Sequence, residues 1–186
     1  MAESPAQGTL HLVVGPSGAG KDALIRAARF ARPDILVPTR AITRPADAGG
    51  EDHEAVTEAE FARRAGAGDF ALWWRAHGLG YGVPREIDAA LAAGRPVLVN
   101  VSRAVIDEAR ARYAPLRVLR IDAPRAVLAA RIAARGRETA AEVAARLARK
   151  PDRPVEGPDV VPIDNGGALQ DAVAAFVAAL AQPPSG

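Results

Sequence analysis

Three glycines within six residues constrain the fold of this 186-residue chain more than any other feature. The segment GPSGAGKD, residues 15–22, follows the apolar run HLVV and precedes a helical pattern that begins KDALI. Glycine tolerates the turned backbone that joins a buried strand directly to a helix. The segment fits the phosphate-binding pattern G-x-x-x-x-G-K-[ST] except at its last position, where Asp22 replaces the hydroxyl residue.

The rest of the chain alternates short apolar runs with helical stretches. The apolar runs predict buried strands at TLHLVV, PVLVN, LRVLRI and DVVPI. The alanine- and leucine-rich stretches predict helices at KDALIRAARFA, PREIDAALAAG, SRAVIDEARARY, PRAVLAARIAARG and ALQDAVAAFVAAL. This alternation predicts an α/β fold of the P-loop NTPase type, with helices on both faces of a parallel sheet.

The length suits one core, so we interpret residues 1–186 as a single domain. Its core comprises residues 9–37, 84–130 and 150–181, and its flexible ends are residues 1–8 and 182–186. An insertion, residues 38–83, interrupts the alternation. It contains the capping box TEAE from Thr57 and a hairpin region turned at Gly78 to Gly80.

A second segment, residues 131–149, breaks the alternation as well. One helix ends at Gly136, and another opens with a capping box from Thr139 to Glu142. We interpret this segment as a mobile lid.

Composition excludes several other functions. The formal net charge is only +2, and basic residues are spread among acidic ones, which argues against a nucleic-acid partner. No apolar run approaches the roughly 18 residues that span a bilayer. Cysteine is absent, the first residues lack a signal-peptide pattern, and three scattered histidines make no metal cluster. We therefore expect a cytoplasmic protein with small-molecule partners, and its oligomeric state stays open.

The glycine-rich segment is the candidate nucleotide site. Backbone N–H groups of such a loop, together with the positive end of the following helix, bind phosphate groups. Lys21 is expected to lie against the β- and γ-phosphates of ATP and to act in catalysis. The candidate ATP-binding residues are Gly15, Pro16, Ser17, Gly18, Ala19, Gly20, Lys21 and Asp22.

Asp22 is the candidate Mg²⁺ ligand, because a carboxylate binds hard cations. The strand RPVLVNVS ends in the neutral residues Asn100 and Ser102, where many phosphate-loop proteins have an acid. We therefore hypothesise that the acid has moved from the strand end to the loop. The alternative is that Asp22 merely caps the following helix.

Seven segments carry a family resemblance over roughly residues 9–180. They are GPSGAGKD, AITRP, GGEDHEAVTEAEF, HGLGYGVPREI, GRPVLVN, ARGRET and AARLAR. In order and spacing they resemble the guanylate kinase family. The closer resemblance is to the ribose 1,5-bisphosphate phosphokinases, guanylate-kinase-like enzymes of phosphonate breakdown whose loop also reads G-K-D. The resemblance implies a guanylate-kinase-like fold with an acceptor-binding insertion and a lid.

Departures from guanylate kinase indicate a different acceptor. Leu72 aligns with the glutamate that reads guanine, Ser102 with an aspartate that meets the base, and Val83 with a phosphate-binding serine. Leucine cannot replace a hydrogen-bonding partner, so GMP is disfavoured.

The chain retains more of the family's phosphate-binding residues than of its base-binding residues. Arg44 and Tyr81 match a family phosphate arginine and tyrosine, whereas a second arginine aligns with Asp47. Arg40 is the candidate replacement for that charge, and His53 stands where the family has another phosphate tyrosine. For the histidines, a structural role near a turn remains the alternative. The candidate acceptor-binding residues are Arg40, Arg44, His53, His77 and Tyr81.

The lid supplies candidate catalytic arginines. Arg131 and Arg135 lie four residues apart on one helical face, and Arg137 follows Gly136. All three are expected to close over the phosphates and exclude water. The alternative is an arginine-rich, solvated helix.

The resemblance implies an enzyme that uses ATP and Mg²⁺ to convert ribose 1,5-bisphosphate to 5-phosphoribosyl 1-diphosphate. One alternative is a nucleoside monophosphate kinase of the guanylate type, against which Leu72 argues. The other is a guanylate-kinase-like binding module without catalysis, which would have no need of Lys21 or the lid arginines.

Overall fold

The computed structural model describes residues 7–46, 51–134 and 154–182. Its strands are β1 (Leu10–Val14), β2 (Ala41–Ile42), β3 (Glu54–Ala55), β4 (Phe70–Ala76), β5 (Leu79–Pro84), β6 (Val97–Asn100), β7 (Leu116–Asp122) and β8 (Val160–Asp164). Its α-helices in these ranges are α1 (Lys21–Ala31), α2 (Glu58–Ala67), α3 (Glu86–Ala92), α4 (Ile106–Arg112), α5 (Arg125–Ala133) and α6 (Leu169–Ala181).

Two four-stranded sheets organise these elements, in the orders β6-β1-β7-β8 and β3-β2-β5-β4. In the first sheet β7 and β8 run parallel, with Val118 opposite Val160. All five residues of β1 are buried, as expected for a strand covered on both faces. The predicted α/β fold with a parallel sheet is confirmed.

The chain divides into two compact units, residues 1–12 with 33–116 and residues 13–32 with 117–186. The first unit contains the second sheet, which is built from the predicted insertion. Antiparallel β4 and β5 form its hairpin, and β2 pairs with β5. Beneath this sheet, Phe61 of α2 packs with Ala41 and Phe70 in a buried apolar cluster.

The hairpin turn differs from the predicted one. It lies at His77 and Gly78, whose φ angles of 52° and 75° are both in the left-handed region, while Gly80 already belongs to β5. Positive φ at both central residues is typical of the two-residue type I′ turn, whose twist matches that of the strands. The prediction of a turn from Gly78 to Gly80 was wrong because His77 takes a conformation that non-glycine residues rarely adopt.

Helix ends follow local capping chemistry. Helix α1 has the predicted limits, and Thr57 Oγ1 accepts a hydrogen bond from Glu60 N at 3.1 Å, which confirms the Thr57 half of the capping box, while the Glu60 carboxylate accepts from Arg63. The predicted helix at Ser102 instead opens as a 3₁₀ turn over Arg103–Val105, because the Ser102 side chain accepts from Ala104 N. Helix α4 follows this turn.

A tyrosine joins two further elements of the first unit. Tyr113, which follows α4, donates its hydroxyl hydrogen to Asp88 Oδ1 of α3 at 2.7 Å. Burial, and then the hydrogen bond to this carboxylate, raise the pKa of Tyr113 above its ordinary value.

In the second unit, a buried arginine donates a hydrogen bond to a carbonyl oxygen in the last turn of α6. Arg117 of β7 is 4% exposed, and its Nη1 donates to Ala179 O at 2.6 Å. Carbonyl groups in the last turn of a helix have no partner within it, and a positive charge is favourable there. Arg117 therefore has a structural role.

Candidate active site

The glycine-rich segment forms a tight turn before α1 in the second unit. Gly18 and Gly20 have φ angles of 82° and 87°, which glycine adopts without strain. Gly18 also packs against α5, because a Cβ built on it would lie 3.1 Å from both Leu128 O and Ile132 Cγ1. The turn therefore requires glycine at both places and rests on α5.

Lys21 is the first residue of α1, and its ammonium group lies over the loop. Nζ donates to Gly15 O at 2.8 Å and to Pro16 O at 3.0 Å. An ammonium group and the N–H groups at the start of a helix thus meet in one turn, which is an arrangement that binds anions. The contact of residues 15–22 with the phosphate groups of ATP remains a prediction.

Asp22 is the second residue of α1, and it is exposed. The residue that caps α1 is Gly20, which has no capping side chain, so the helix-capping alternative for Asp22 is wrong. Its carboxylate is accessible and of a type that binds Mg²⁺. Among the described residues, no three His, Cys, Asp or Glu side chains cluster to hold a metal ion. A Mg²⁺ site at Asp22 would therefore take its other ligands from water, phosphate or neutral groups.

Arg131 of α5 lies beside the loop. A Cβ built on Gly20 would be 3.9 Å from Arg131 Nη1. This nitrogen is buried and has no hydrogen-bond partner among the described residues. A guanidinium group beside the positive end of α1 is favourable only with an anion, so its position fits a phosphate ligand. Arg135 and Arg137 lie outside the described residues.

In the first unit, His53 holds Arg44. Its Nδ1 lies 3.3 Å from Arg44 Nη2, and its Nε2 lies 3.1 Å from Arg44 O. A proton on Nε2 is donated to Arg44 O, and this contact fixes the ring beside the arginine. Nδ1 is also 3.0 Å from Glu51 O. His53 therefore lies in position to orient Arg44, whose buried Nε has no partner within the described part of the chain.

Arg40 is 5% exposed and is engaged on two sides. Nη1 donates to Asn100 O at 2.7 Å, and Nη2 forms an ion pair with Glu51. The guanidinium also lies 5.6 Å from the ring centroids of both Trp74 and Tyr81, within cation–π range. Arg40 thus has its charge balanced inside the protein.

Tyr81 lies on the same face of β4 and β5 as Trp74, and the two rings stack at 5.3 Å between centroids. Leu72 and Val83 are opposite each other on this face and are fully buried. Of the positions aligned with guanine- and phosphate-binding residues of guanylate kinases, these two are therefore apolar and covered. Neither side chain can form a hydrogen bond with a base.

The glycines that flank Tyr81 explain why its strand is so close to the aromatic core. A Cβ on Gly80 would lie 2.8 Å from the Phe61 ring, and a Cβ on Gly82 would collide with the Phe70 ring. Both rings lie on the face opposite Tyr81. The sequence GYG thus places one tyrosine on a strand that is packed from behind.

The remaining candidate is His77, which is exposed at the hairpin turn. Its part in substrate binding remains a prediction.

No protein-family model matches the chain. Ribose 1,5-bisphosphate phosphokinase PhnN of Acidiphilium cryptum is 56% identical over 160 residues, covering 84% of each chain. The protein of the same name from a Ruegeria species is 48% identical over 171 residues, covering 91% of this chain and 90% of its own. The chain belongs to the ribose 1,5-bisphosphate phosphokinase family.

The fold of this ribose 1,5-bisphosphate phosphokinase family member has a solved counterpart. Guanylate kinase of Anaplasma phagocytophilum superposes with a TM-score of 0.68 at 18% identity, covering 94% of this chain and 85% of that one. The predicted guanylate-kinase-like fold is confirmed, as is the resemblance read from the motifs. Within the described residues, no helix has the length and apolar character needed to cross a membrane.

Sequence reasoning missed three residues near these sites in this phosphokinase family member. Glu51 pairs with Arg40, Trp74 stacks on Tyr81, and Asn165 binds the phosphate loop. Of the three, Asn165 could have been predicted most readily. It directly follows β8, and polar residues at the carboxyl ends of parallel strands lie near ligands.

Proposed function

We propose that the protein phosphorylates ribose 1,5-bisphosphate with ATP, giving ADP and 5-phosphoribosyl 1-diphosphate, in phosphonate degradation in the cytoplasm. An oxygen of the 1-phosphate attacks the γ-phosphorus, and the bond from that phosphorus to the β,γ-bridging oxygen breaks. The nucleophile needs no general base, because a phosphate monoester is already largely ionised at pH 7, its second pKa being about 6. Membership of the family supports this reaction.

The nucleotide side of the reaction is assigned to residues of the second unit. Lys21 and Arg131 supply positive charge to the transferring phosphoryl group, and the loop N–H groups hold the phosphates. Asp22 would hold Mg²⁺, which neutralises charge on the β- and γ-phosphates when bound. The lid residues Arg135 and Arg137 are proposed to add to this charge.

The acceptor side is assigned to Arg44, with Tyr81 and the positioning residue His53 beside it in the first unit. The observation that carries the acceptor assignment is the buried apolar pair Leu72 and Val83. A site that reads guanine needs hydrogen-bonding partners, and unpaired base groups cost several orders of magnitude in specificity. A sugar carrying phosphates needs only cationic and hydroxyl groups.

An ADP-release assay against four acceptors tests the proposal. They are GMP, AMP, ribose 5-phosphate and ribose 1,5-bisphosphate, each with MgATP. We expect turnover of the bisphosphate alone, with the diphosphate product identified by ³¹P NMR. Lys21→Ala should reduce turnover by roughly 10² or more, since it removes an electrostatic contact in the transition state. Arg26→Ala, at an exposed position of the same helix, is the matched control. Turnover of GMP at the rate of the bisphosphate would refute the acceptor assignment.

A further inference from the structure

Asn165 is a buried polar residue without an assigned role in phosphoryl transfer. It directly follows β8 and is 1% exposed. Its Nδ2 donates a hydrogen bond to Ala19 O of the phosphate loop at 2.7 Å, across 146 positions of sequence. Because a carbonyl oxygen only accepts, the amide nitrogen and not the amide oxygen must face the loop. The contact is therefore specific to a donor at this position.

The backbone of Asn165 is fixed independently of its side chain. Its N–H donates to Asp122 O, at the end of β7, at 2.8 Å. A separate hydrogen bond in the same turn, from Gly166 N to Asp164 Oδ1 at 2.8 Å, involves no atom of Asn165. The bond between Asn165 N and Asp122 O thus holds the residue at the carboxyl end of two paired strands, from which its side chain reaches the loop.

Asn165 contacts the loop at a second residue as well. A Cβ built on Gly20 would collide with Asn165 Nδ2, so the amide occupies the space that any other residue at position 20 would need. Gly20 is the residue beside which Arg131 Nη1 lies. The amide therefore meets the loop at Ala19 and Gly20, just before the catalytic candidate Lys21.

We propose that Asn165 is a positioning residue that holds Ala19 and Gly20 in the conformation that binds the phosphates of ATP. The inference rests on the proposed ATP-dependent function. A loop whose N–H groups already point inward loses less conformational entropy on binding than a loop that must be ordered by its ligand. Asn165 supplies this order by one hydrogen bond and one close contact.

The test measures ATP binding by calorimetry, with no acceptor present, for wild type and three variants. Asn165→Ala removes the donor, Asn165→Asp replaces it with an acceptor of the same shape, and Asp164→Ala is the matched control. The control removes the neighbouring side-chain hydrogen bond, to Gly166 N, and leaves the loop contact in place. Thermal unfolding of each variant and the KM for both substrates complete the set.

We expect Asn165→Ala to weaken ATP binding about tenfold, since Ala19 O loses a buried partner. Asn165→Asp should weaken it further, because its carboxylate faces a carbonyl oxygen. If Asn165 acted by packing alone, Asn165→Asp would bind ATP better than Asn165→Ala, because aspartate has the shape of asparagine. The KM for ATP should rise while the KM for the acceptor stays unchanged, and Asp164→Ala should bind ATP as wild type does.

Wild-type ATP affinity in a folded Asn165→Ala protein would overturn the proposal. Asn165→Ser serves if the alanine variant does not fold, because its small hydroxyl is tolerated in a polar pocket yet is too short to replace the amide. If neither variant folds, Asn165 is a residue of the fold and the proposal is wrong. Failure of the proposed function has a different signature, namely that the wild type binds no ATP or binds ATP without phosphorylating the bisphosphate.

Discussion

Arg131→Met should lower activity without lowering stability. Arg131 Nη1 is buried without a hydrogen-bond partner in the described part of the chain, beside the positive end of α1. An unsatisfied buried donor costs about 1–3 kcal/mol, and methionine removes it while keeping an apolar stem of similar length. Since some packing is lost as well, we expect the free energy of unfolding to stay constant or to rise by about 1 kcal/mol.

The activity should move in the opposite direction. Arg131 is assigned to the transferring phosphoryl group, and removal of one such electrostatic contact costs roughly 10² in kcat. The assay pairs thermal unfolding of the nucleotide-free protein with steady-state kinetics. A gain of 1 kcal/mol raises Tm by about 2–4 °C in a chain of this size.

Arg117→Met is the control for this pair of measurements. Arg117 is also a buried arginine of the second unit, but its Nη1 is bonded to Ala179 O. Its replacement leaves that carbonyl unsatisfied, so it should destabilise by about 1–3 kcal/mol with little change in kcat per folded molecule. An Arg131→Met protein that melts as low as Arg117→Met and retains wild-type kcat would refute the reasoning.

Further predictions concern the acceptor, the metal and a buried tyrosine. Arg44→Ala and, more weakly, His53→Phe should raise the KM for the sugar phosphate and leave ATP affinity unchanged, as steady-state kinetics and calorimetry would reveal. Asp22→Ser should raise the Mg²⁺ concentration required for half-maximal kcat, and an unaltered Mg²⁺ dependence would exclude Asp22 as a ligand. Because the pKa of Tyr113 is raised in the folded protein, its contribution is fully present below about pH 10, the value of a free tyrosine, and is lost as the pH rises beyond it. The free energy of unfolding measured with denaturant should therefore fall above that pH in wild type and fall less in Tyr113→Phe, because phenylalanine has no hydroxyl group to ionise.

Local patterns predicted the parts of this protein that depend on neighbouring residues. The loop, α1 and the Thr57 cap are set by residues within a few positions of one another, and each is found where the sequence indicated. The hairpin turn was misplaced because its conformation at His77 is decided by strand twist rather than by residue preference. Sequence patterns thus predict helices and strands well, and they predict the conformation of the turns between them less well.

Long-range pairings explain what sequence reasoning could not supply for the candidate site. The contact of Asn165 with Ala19 joins residues that are 146 positions apart, and that of Arg40 with Asn100 spans 60 positions. No periodicity or motif encodes such a pair, since either partner has an ordinary local role on its own. The resemblance to a family identified candidate site residues, and only the fold shows which of them contact one another.

Arg40 and Arg44, the two candidate acceptor arginines of the first unit, differ in the partners that their guanidinium groups contact. Both fork nitrogens of Arg40 are engaged, with Asn100 O and Glu51, and its face lies against Trp74 and Tyr81. To bind a phosphate, Arg40 would have to give up a buried ion pair, whose breaking leaves an uncompensated charge. Arg44 lies against the His53 ring and has a buried Nε without a partner among the described residues. A phosphate dianion therefore gains more from Arg44 than from Arg40, which is better placed to hold the Tyr81 ring for the acceptor than to bind it.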